Sequence, residues 1–331
     1  MQYSSFTGNR YEAAHQWAKH QEMRNPLIYL ANENQRRAFT AKCLPIYQKF
    51  YPEILDEIQG IADGWQIPFE DLVGFLLSMY CFDLQNKCTC FAFLKDQHIV
   101  FGRNSDFLTT MEDSYDSCYY KLEGAHAFIG NTTAMVQMED GVNEYGLAIG
   151  LTFIVPKSIQ PGLNAGMLVR YLLEKCKSVK EAISALENLP IASSQTLTLA
   201  DRSGAMAVVE CNCEKMAVIY PEEGSHFIVA ANRFQSKALR PWQPQGIDDW
   251  HSDLRYQTVA QALSQSVMSH PLLFANDLLS GKYGFICQYD RKTGHDTVWS
   301  VIYDLSHQKI YLASGNPAKV PFLEDQRLAF Q

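Results

Sequence analysis

The hydrophobic pattern of this 331-residue chain changes period at one point, just before Cys88. On the N-terminal side, apolar residues recur at helical spacing through residues 51–62, and the Asp-Gly pair that follows would end the helix. On the C-terminal side, the apolar residues fall into short runs of strand length. We therefore predict an N-terminal helical segment, residues 1–87, followed by a sheet-rich domain, residues 88–331.

Strand-like runs with turn-length connections recur through the second segment, at residues 89–94, 98–101, 127–138, 147–155, 195–200, 205–210, 215–220, 226–231, 297–303 and 309–313. Helical blocks interrupt them at residues 164–173, 178–189 and 252–279. Hairpin-length connections, in place of one helix for each strand, favour antiparallel sheets covered by helices. The predicted fold class is α+β, with four layers in the order helices, sheet, sheet, helices (αββα).

Charge and hydropathy argue against two classes of partner. The chain has 28 Lys and Arg against 36 Asp and Glu, and no basic stripe that could neutralise a nucleic-acid backbone. Its longest uncharged apolar runs, residues 72–82 and 146–156, are about half of the roughly 20 residues that span a bilayer. The N-terminus lacks the features of a secretion signal, and nine cysteines are an odd set. We expect a cytoplasmic protein with reduced thiols and no nucleic-acid or membrane partner. The sequence is compatible with a homo-oligomer.

Two runs at the start of the sheet-rich domain carry the strongest functional signal. Residues 88–93 (CTCFAF) would form one strand, and residues 102–107 (GRNSDF) would end the next strand of the same hairpin. This pair resembles the start of the catalytic chain in the N-terminal-nucleophile (Ntn) hydrolase superfamily. Within it, the chain is most similar to the penicillin acyltransferase and linear-amide hydrolase family, and more distantly similar to choloylglycine (bile salt) hydrolases and acid ceramidase.

The resemblance implies an Ntn-hydrolase sandwich in which cleavage between Lys87 and Cys88 makes Cys88 the amino-terminal nucleophile. Such a cysteine carries its own base, because an α-amine with a pKa of about 8 adjoins a thiol with a pKa of about 8.5. A carboxylate near the amine, here Asp106, would fix its position and charge. A guanidinium near the sulfur, here Arg103, would favour the thiolate and orient the acyl carbonyl.

Further motifs extend the resemblance along the chain. Residues 140–148 (DGVNEYGLA) are similar to the family's Asn-Glu-x-Gly-Leu motif, which precedes a backbone oxyanion donor at the position of Thr152. Residues 230–234 (AANRF) are similar to its Thr-Asn-His-Phe element, whose side-chain oxyanion donor would be Asn232. Loss of one such donor typically lowers the rate on the order of 10² to 10³. The Ser-x-x-Arg run ending at Arg255 resembles the family's brace beside the nucleophile.

The predicted function is hydrolysis of a linear carbon–nitrogen amide bond in a small-molecule substrate through an acyl-thioester at Cys88, with no metal or organic cofactor. One alternative is an N-acyltransferase that uses acyl-coenzyme A at the same site. Another is an unprocessed binding or scaffold protein, because Lys87 stands where relatives often have a small residue and its long side chain would slow cleavage.

Single residues also admit simpler interpretations. Cys90 shares the strand face of Cys88 and is its rival as nucleophile. The Cys-x-Cys pairs 88/90 and 211/213 could bind zinc, although zinc sites more often separate their cysteines by two or more residues. A papain-like enzyme would need a histidine such as His226 or His295. An apolar acyl pocket would be lined by aromatic residues, with candidates Tyr115, Tyr119, Tyr120 and Phe153.

Overall fold

Two β-sheets form the centre of the computed structural model, which describes residues 1–22, 34–82, 86–265 and 270–331. The strands are β1 (Gln2–Gly8), β2 (Lys87–Lys95), β3 (His98–Leu108), β4 (Asp116–Leu122), β5 (Phe128–Thr132), β6 (Asp140–Asn143), β7 (Ala148–Phe153), β8 (Gln195–Ala200), β9 (Met206–Cys211), β10 (Met216–Ile219), β11 (Phe227–Ala230), β12 (His295–Asp304), β13 (Lys309–Ala313) and β14 (Leu323–Asp325). The helices are α1 (Arg10–His20), α2 (Asn34–Phe50), α3 (Glu53–Trp65), α4 (Phe69–Leu76), α5 (Ala165–Lys175), α6 (Val179–Asn188), α7 (Ser252–Gln265) and α8 (Pro271–Leu279).

The sheets stack face to face between two helical layers. The eight-stranded sheet has the order β1-β4-β5-β6-β7-β8-β9-β10, and the six-stranded sheet has the order β11-β2-β3-β12-β13-β14. Helices α5 and α6 pack on the first sheet, and α7 and α8 pack on the second. Apolar side chains fill both the space between the sheets and the space beneath the helices. The predicted αββα architecture is confirmed. In the described ranges no helix combines the length and apolar character needed to cross a bilayer.

Local sequence signals explain where several helices begin and end. Helix α3 starts after Pro52 and ends before Gln66, which has a left-handed φ of 57°, and most of its apolar stripe is buried. Helix α6 begins with a capping box, in which the Ser178 hydroxyl accepts the Glu181 N–H and the Glu181 carboxylate accepts the Lys177 N–H.

Strand β1 is the main difference from the predicted pattern, because residues 1–87 were expected to be helical. It pairs in parallel with β4, more than 100 residues along the chain, and only Ser4 and Phe6 of its seven residues are buried. A short, half-polar edge strand of this kind has a weak local signal. Its pairing is set by a distant part of the chain.

Two predicted elements are shorter than expected. The strand predicted over residues 127–138 ends at Thr132, and a turn with Met135 at a φ of 57° follows. The helix predicted over residues 252–279 is two helices, α7 and α8, and the second begins at Pro271, a residue suited to a first helical turn. Residues 266–269 of that prediction lie outside the described ranges.

A buried ion network joins the N-terminal segment to the rest of the molecule. Arg10 contacts Glu57 at 3.1 Å and Glu174 at 2.8 Å, and Arg170 contacts the same carboxylates at 2.8 Å and 2.7 Å. The Tyr51 hydroxyl donates to Glu174. Burial raises the pKa of Glu174, but the two guanidinium groups outweigh burial and lower it to about 2. Because α1 and α3 supply half of this network, the first 87 residues are tied to the domain that follows.

We predict that Arg170→Met destabilises the protein by about 3–5 kcal/mol, since it leaves the buried carboxylates of Glu57 and Glu174 with one cation in place of two. The matched control on the same helix is Lys175→Met, which removes a partly exposed ion pair with Glu53 and should cost at most about 1 kcal/mol. Urea unfolding followed by tryptophan fluorescence measures both. Equal losses in the two variants would contradict a structural role for the network.

Candidate active site

Cys88 lies between the two sheets. It is the second residue of β2, across from Ser105 of β3, and it shares its strand face with Cys90. That face packs against the eight-stranded sheet. A Cβ placed on Gly150 of β7 would lie 2.9 Å from Cys90 Sγ and 3.0 Å from the Arg103 side chain. The Cys88 thiol is fully buried at this interface.

The Arg103 guanidinium is the closest charged group to the sulfur. Its Nη2 lies 2.8 Å from Cys88 Sγ, and its other contacts are Asp140 at 2.6 Å, Glu139 at 3.2 Å and the Leu151 carbonyl at 3.2 Å. Burial raises the pKa of the Cys88 thiol, and the Arg103 charge opposes that shift. The Arg103 charge thus lies where it would favour a thiolate, and the role that the resemblance implies for Arg103 stays a prediction.

Arg255 of α7 braces the backbone of the same residue. All five of its N–H groups have acceptors in the structure. These are the carbonyl oxygens of Cys88, Asp249 and Trp250 at 2.7, 2.9 and 2.9 Å, the Thr89 hydroxyl at 2.7 Å, and Asn232 Oδ1 at 3.0 Å. A fully bonded, buried guanidinium fixes the start of β2 relative to α7.

Asn232 lies just beyond β11 and contacts Cys88 directly. Its Oδ1 accepts the Cys88 backbone N–H at 2.9 Å, and its Nδ2 donates to the Phe153 carbonyl at 2.7 Å. An Asn amide carries two N–H groups, so an oxyanion beside Cys88 can be served by the second. The donor role assigned to Asn232 from its motif is compatible with this position and stays a prediction.

Thr152 contributes through its hydroxyl in this structure. Its Oγ1 contacts Thr196 Oγ1 at 2.6 Å and donates to the Ala231 carbonyl at 2.9 Å, next to Asn232. Amide directions alternate along a strand, and the N–H of Leu151 points to β6, so that of Thr152 points towards β8. With its N–H directed to β8, Thr152 is not placed as a backbone donor in this structure, and that role rests on the resemblance alone; its hydroxyl helps to hold the Asn232 segment.

Asp106 follows Ser105 on β3 and is fully buried. Its oxygens accept the Thr297 hydroxyl at 2.6 Å and the Tyr289 hydroxyl at 2.9 Å, and Arg255 lies 3.8 Å away. Burial raises the pKa of Asp106 to about 6, although the Arg255 charge lowers it. Its predicted contact with the amine of Cys88 would form only after cleavage, since the Cys88 N–H here bonds to Asn232.

Glu139, next to Asp140, is a buried carboxylate that the motif analysis missed. Its Oε2 accepts Asn86 Nδ2 at 3.0 Å, Arg103 Nη2 at 3.2 Å and the Ser105 hydroxyl at 3.2 Å. It thereby links the residue two positions before Cys88 to the guanidinium beside the sulfur. The available signal is an acidic pair, Glu139 and Asp140, directly after the strand-like run at residues 127–138.

The whole cluster is closed to solvent. Cys88, Arg103, Asp106, Thr152 and Arg255 are fully buried, and Asn232 is 4% exposed. Lys87 is buried as well, with its Nζ 5.9 Å from the centre of the Trp250 ring. A substrate could reach the sulfur of this continuous chain only after the residues that cover the sulfur move.

Tyr120 was a candidate for lining an apolar acyl pocket, and this prediction is wrong. Its ring stacks on Phe6 and Phe128 and lies 3.7 Å from the Arg170 guanidinium, on the helix-covered side of the eight-stranded sheet. Strand alternation explains the error, because period alone does not say which face of a fully buried strand meets which layer.

Comparison with known proteins shows the family of the chain. A model of the family described as acyl-coenzyme A:6-aminopenicillanic acid acyl-transferase matches residues 93–319, which contain Arg103, Asp106, Thr152, Asn232 and Arg255 and begin shortly after Cys88. No match was found among curated protein sequences.

Two solved structures are similar to this chain, and the first shares its fold. Penicillin V acylase from Agrobacterium tumefaciens is 18% identical over 73% of this chain and 87% of its own, with a TM-score of 0.50. A variant of conjugated bile acid hydrolase from Clostridium perfringens is 15% identical over 73% of this chain and 98% of its own, with a TM-score of 0.46.

Proposed function

Because the chain belongs to the acyl-coenzyme A:6-aminopenicillanic acid acyl-transferase family, a group of amide-acting enzymes in the Ntn-hydrolase superfamily, we propose that it is a self-activated cysteine amidohydrolase. Cleavage between Lys87 and Cys88 would free Cys88 as an amino-terminal nucleophile for a linear carbon–nitrogen amide bond. The observation that carries the proposal is the Cys88 sulfur 2.8 Å from Arg103 while Asn232 and Arg255 hold the backbone of the same residue.

Self-cleavage would begin with attack of Cys88 Sγ on the Lys87 carbonyl carbon. A carbon–sulfur bond forms, the Lys87–Cys88 carbon–nitrogen bond breaks, and the thiol proton passes to the departing nitrogen. Water then hydrolyses the thioester, which leaves a carboxylate on Lys87 and a free thiol and amine on Cys88. Glu139 supports this step as a positioning residue, since it bonds both Asn86 and Arg103.

The mature site would use the new α-amine as the base for the thiol. Sγ attacks the substrate carbonyl, and the developing oxyanion takes a hydrogen bond from the second N–H of Asn232 Nδ2. Collapse releases the amine and leaves an acyl-thioester, which water hydrolyses. Asp106, whose pKa of about 6 leaves it mostly ionised at neutral pH, would hold the amine in place.

Acyl transfer from acyl-coenzyme A is the second candidate. The family description favours it, because an acyl-thioester donor would load Cys88 with the same acyl group, and an amine would then accept it. The two reactions share every step at Cys88 and differ in whether water or an amine resolves the thioester.

The N-terminal segment would remain bound after cleavage, in place of leaving as a free propeptide. Strand β1 is part of the eight-stranded sheet, and Arg10 and Glu57 belong to the buried ion network with Arg170.

A cytoplasmic location is also part of the proposal. It is supported by nine free cysteines, which suit a reducing compartment.

Intact mass under reducing conditions tests self-activation. We predict that the 37.6 kDa wild type splits into chains 1–87 and 88–331, and that Cys88→Ala stays whole because it lacks the attacking sulfur. The matched control is Cys90→Ala, which removes the neighbouring thiol on the same strand face and should cleave like the wild type. After cleavage, the two chains should elute together in gel filtration.

Two outcomes would contradict this part of the proposal. If Cys90→Ala blocks cleavage and Cys88→Ala does not, the nucleophile is misassigned. If the wild type stays whole, and the Lys87→Gly variant, which has the small residue often found in relatives, also stays whole, the chain is an unprocessed binding or scaffold protein.

Turnover by the cleaved protein tests the reaction. We expect amine release from at least one simple amide in a panel with penicillin V and a conjugated bile acid, with no more than about a twofold change in Cys90→Ala and a loss of about 10² or more in Asn232→Ala. Supplying acyl-coenzyme A with 6-aminopenicillanic acid tests transfer, and amide formed faster than free acid would favour the acyltransferase. No turnover of amide or thioester by fully cleaved protein would contradict both.

A further inference from the structure

A second cluster of reactive side chains lies at the opposite end of the six-stranded sheet. His98 is the first residue of β3, just after the turn that connects β2 and β3, and Asp304 is the last residue of β12. His307 belongs to the turn that connects β12 and β13. Strand pairing between β3 and β12 brings these two hairpin turns side by side.

The ligand atoms of these residues converge on one point. His98 Nε2 lies 2.8 Å from Asp304 Oδ1, His307 Nδ1 lies 3.1 Å from the same oxygen, and the two ring nitrogens are 3.2 Å apart. A zinc ion with bonds of about 2.0–2.2 Å places neighbouring ligand atoms roughly 3.3 Å apart in tetrahedral geometry. The three separations in the cluster, 2.8, 3.1 and 3.2 Å, are within about half an ångström of that value.

Backbone and hydroxyl contacts hold the ligands in this arrangement. The His307 N–H donates to Asp304 Oδ1, and the Leu305 N–H donates to the Ile99 carbonyl, which ties one turn to the other. The Ser306 hydroxyl accepts the Ile99 N–H and donates to the Gln97 carbonyl. These contacts fix the backbone of both turns and the Asp304 carboxylate before any ion binds.

We propose that His98, Asp304 and His307 bind a first-row divalent transition-metal ion, with Zn²⁺ as the best fit. Two imidazole nitrogens and one carboxylate oxygen are ligands that Zn²⁺ prefers over Ca²⁺ or Mg²⁺, which favour all-oxygen sites. Asp304 is buried, whereas the His307 side chain is 61% exposed, so the fourth position faces water.

Hydrogen bonds alone explain the close approach of the two ring nitrogens less completely than a bound cation does. Each histidine can donate to Asp304, but the two ring nitrogens then place N–H groups towards each other at 3.2 Å. A cation accepts the lone pairs of all three groups at once, with both facing nitrogens unprotonated.

The site is separate from Cys88. His98 is seven residues from Ser105, the β3 residue across from Cys88, which corresponds to about 23 Å along the strand. The ion would act by joining the β2–β3 turn to the β12–β13 turn. The proposal thus stands whether or not the chain cleaves itself.

Metal binding by the full chain, stripped with a chelator and kept reduced, tests the site. We expect one equivalent of Zn²⁺ in competition with a chromophoric chelator, and Co²⁺ as a probe should give the visible absorption of a low-coordinate nitrogen and oxygen site. His307→Gln, at an exposed position, should weaken Zn²⁺ binding at least about tenfold and remove the Co²⁺ spectrum. Zn²⁺ should also raise the thermal unfolding midpoint of the wild type and leave that of the variant unchanged.

The matched control is His20→Gln, an exposed histidine on α1 that should bind Zn²⁺ like the wild type. Asp304→Asn, which keeps the size of the buried side chain, should weaken binding to a similar extent as His307→Gln. Absence of Zn²⁺ binding by the wild type, or equal binding by the wild type and His307→Gln, would overturn the proposal and leave a hydrogen-bonded pair of turns.

Discussion

The rest of the site depends on one buried charge, the guanidinium of Arg103 at the interface of the two sheets. Arg103 belongs to β3 of the six-stranded sheet, but Asp140, Glu139 and the Leu151 carbonyl lie in or next to strands of the other sheet. A buried cation is stable only when its hydrogen bonds are satisfied, so the sheets must meet in this register. That constraint also places the guanidinium against the Cys88 sulfur.

Contacts from two further residues to the backbone of Cys88 complete the candidate catalytic site. Arg255 and Asn232 come from α7 and from the end of β11, and together they hold the carbonyl and the N–H of Cys88. The cluster is closed, and Lys87 is buried within it. Under the proposed mechanism, cleavage after Lys87 both creates the amino-terminal base and allows residues that cover the sulfur to move.

Local patterns in the sequence predict the hairpin that carries Cys88 and Arg103, because its alternation, turn residues and motif all lie within 20 residues. They also predict α3 and α6, whose stop and capping signals are adjacent in the chain. They do not predict β1, Glu139 or the His98 cluster, since each depends on a partner more than 30 residues away. Motif resemblance named Asp106 and Thr152, yet their hydrogen-bond partners follow from three-dimensional packing alone.

The most direct test of Cys88 as the nucleophile is to trap the acyl group during turnover. The cleaved protein would be mixed with a p-nitrophenyl ester, quenched in acid within the first turnover, digested with pepsin at the same acid pH and mapped by mass spectrometry. Acid keeps the α-amine of Cys88 protonated, so the acyl group stays on the sulfur. We expect a hydroxylamine-sensitive acyl group on the peptide that begins with Cys88. An acyl group on Cys90 or on any other residue, or turnover without acylation of Cys88, would contradict the assignment.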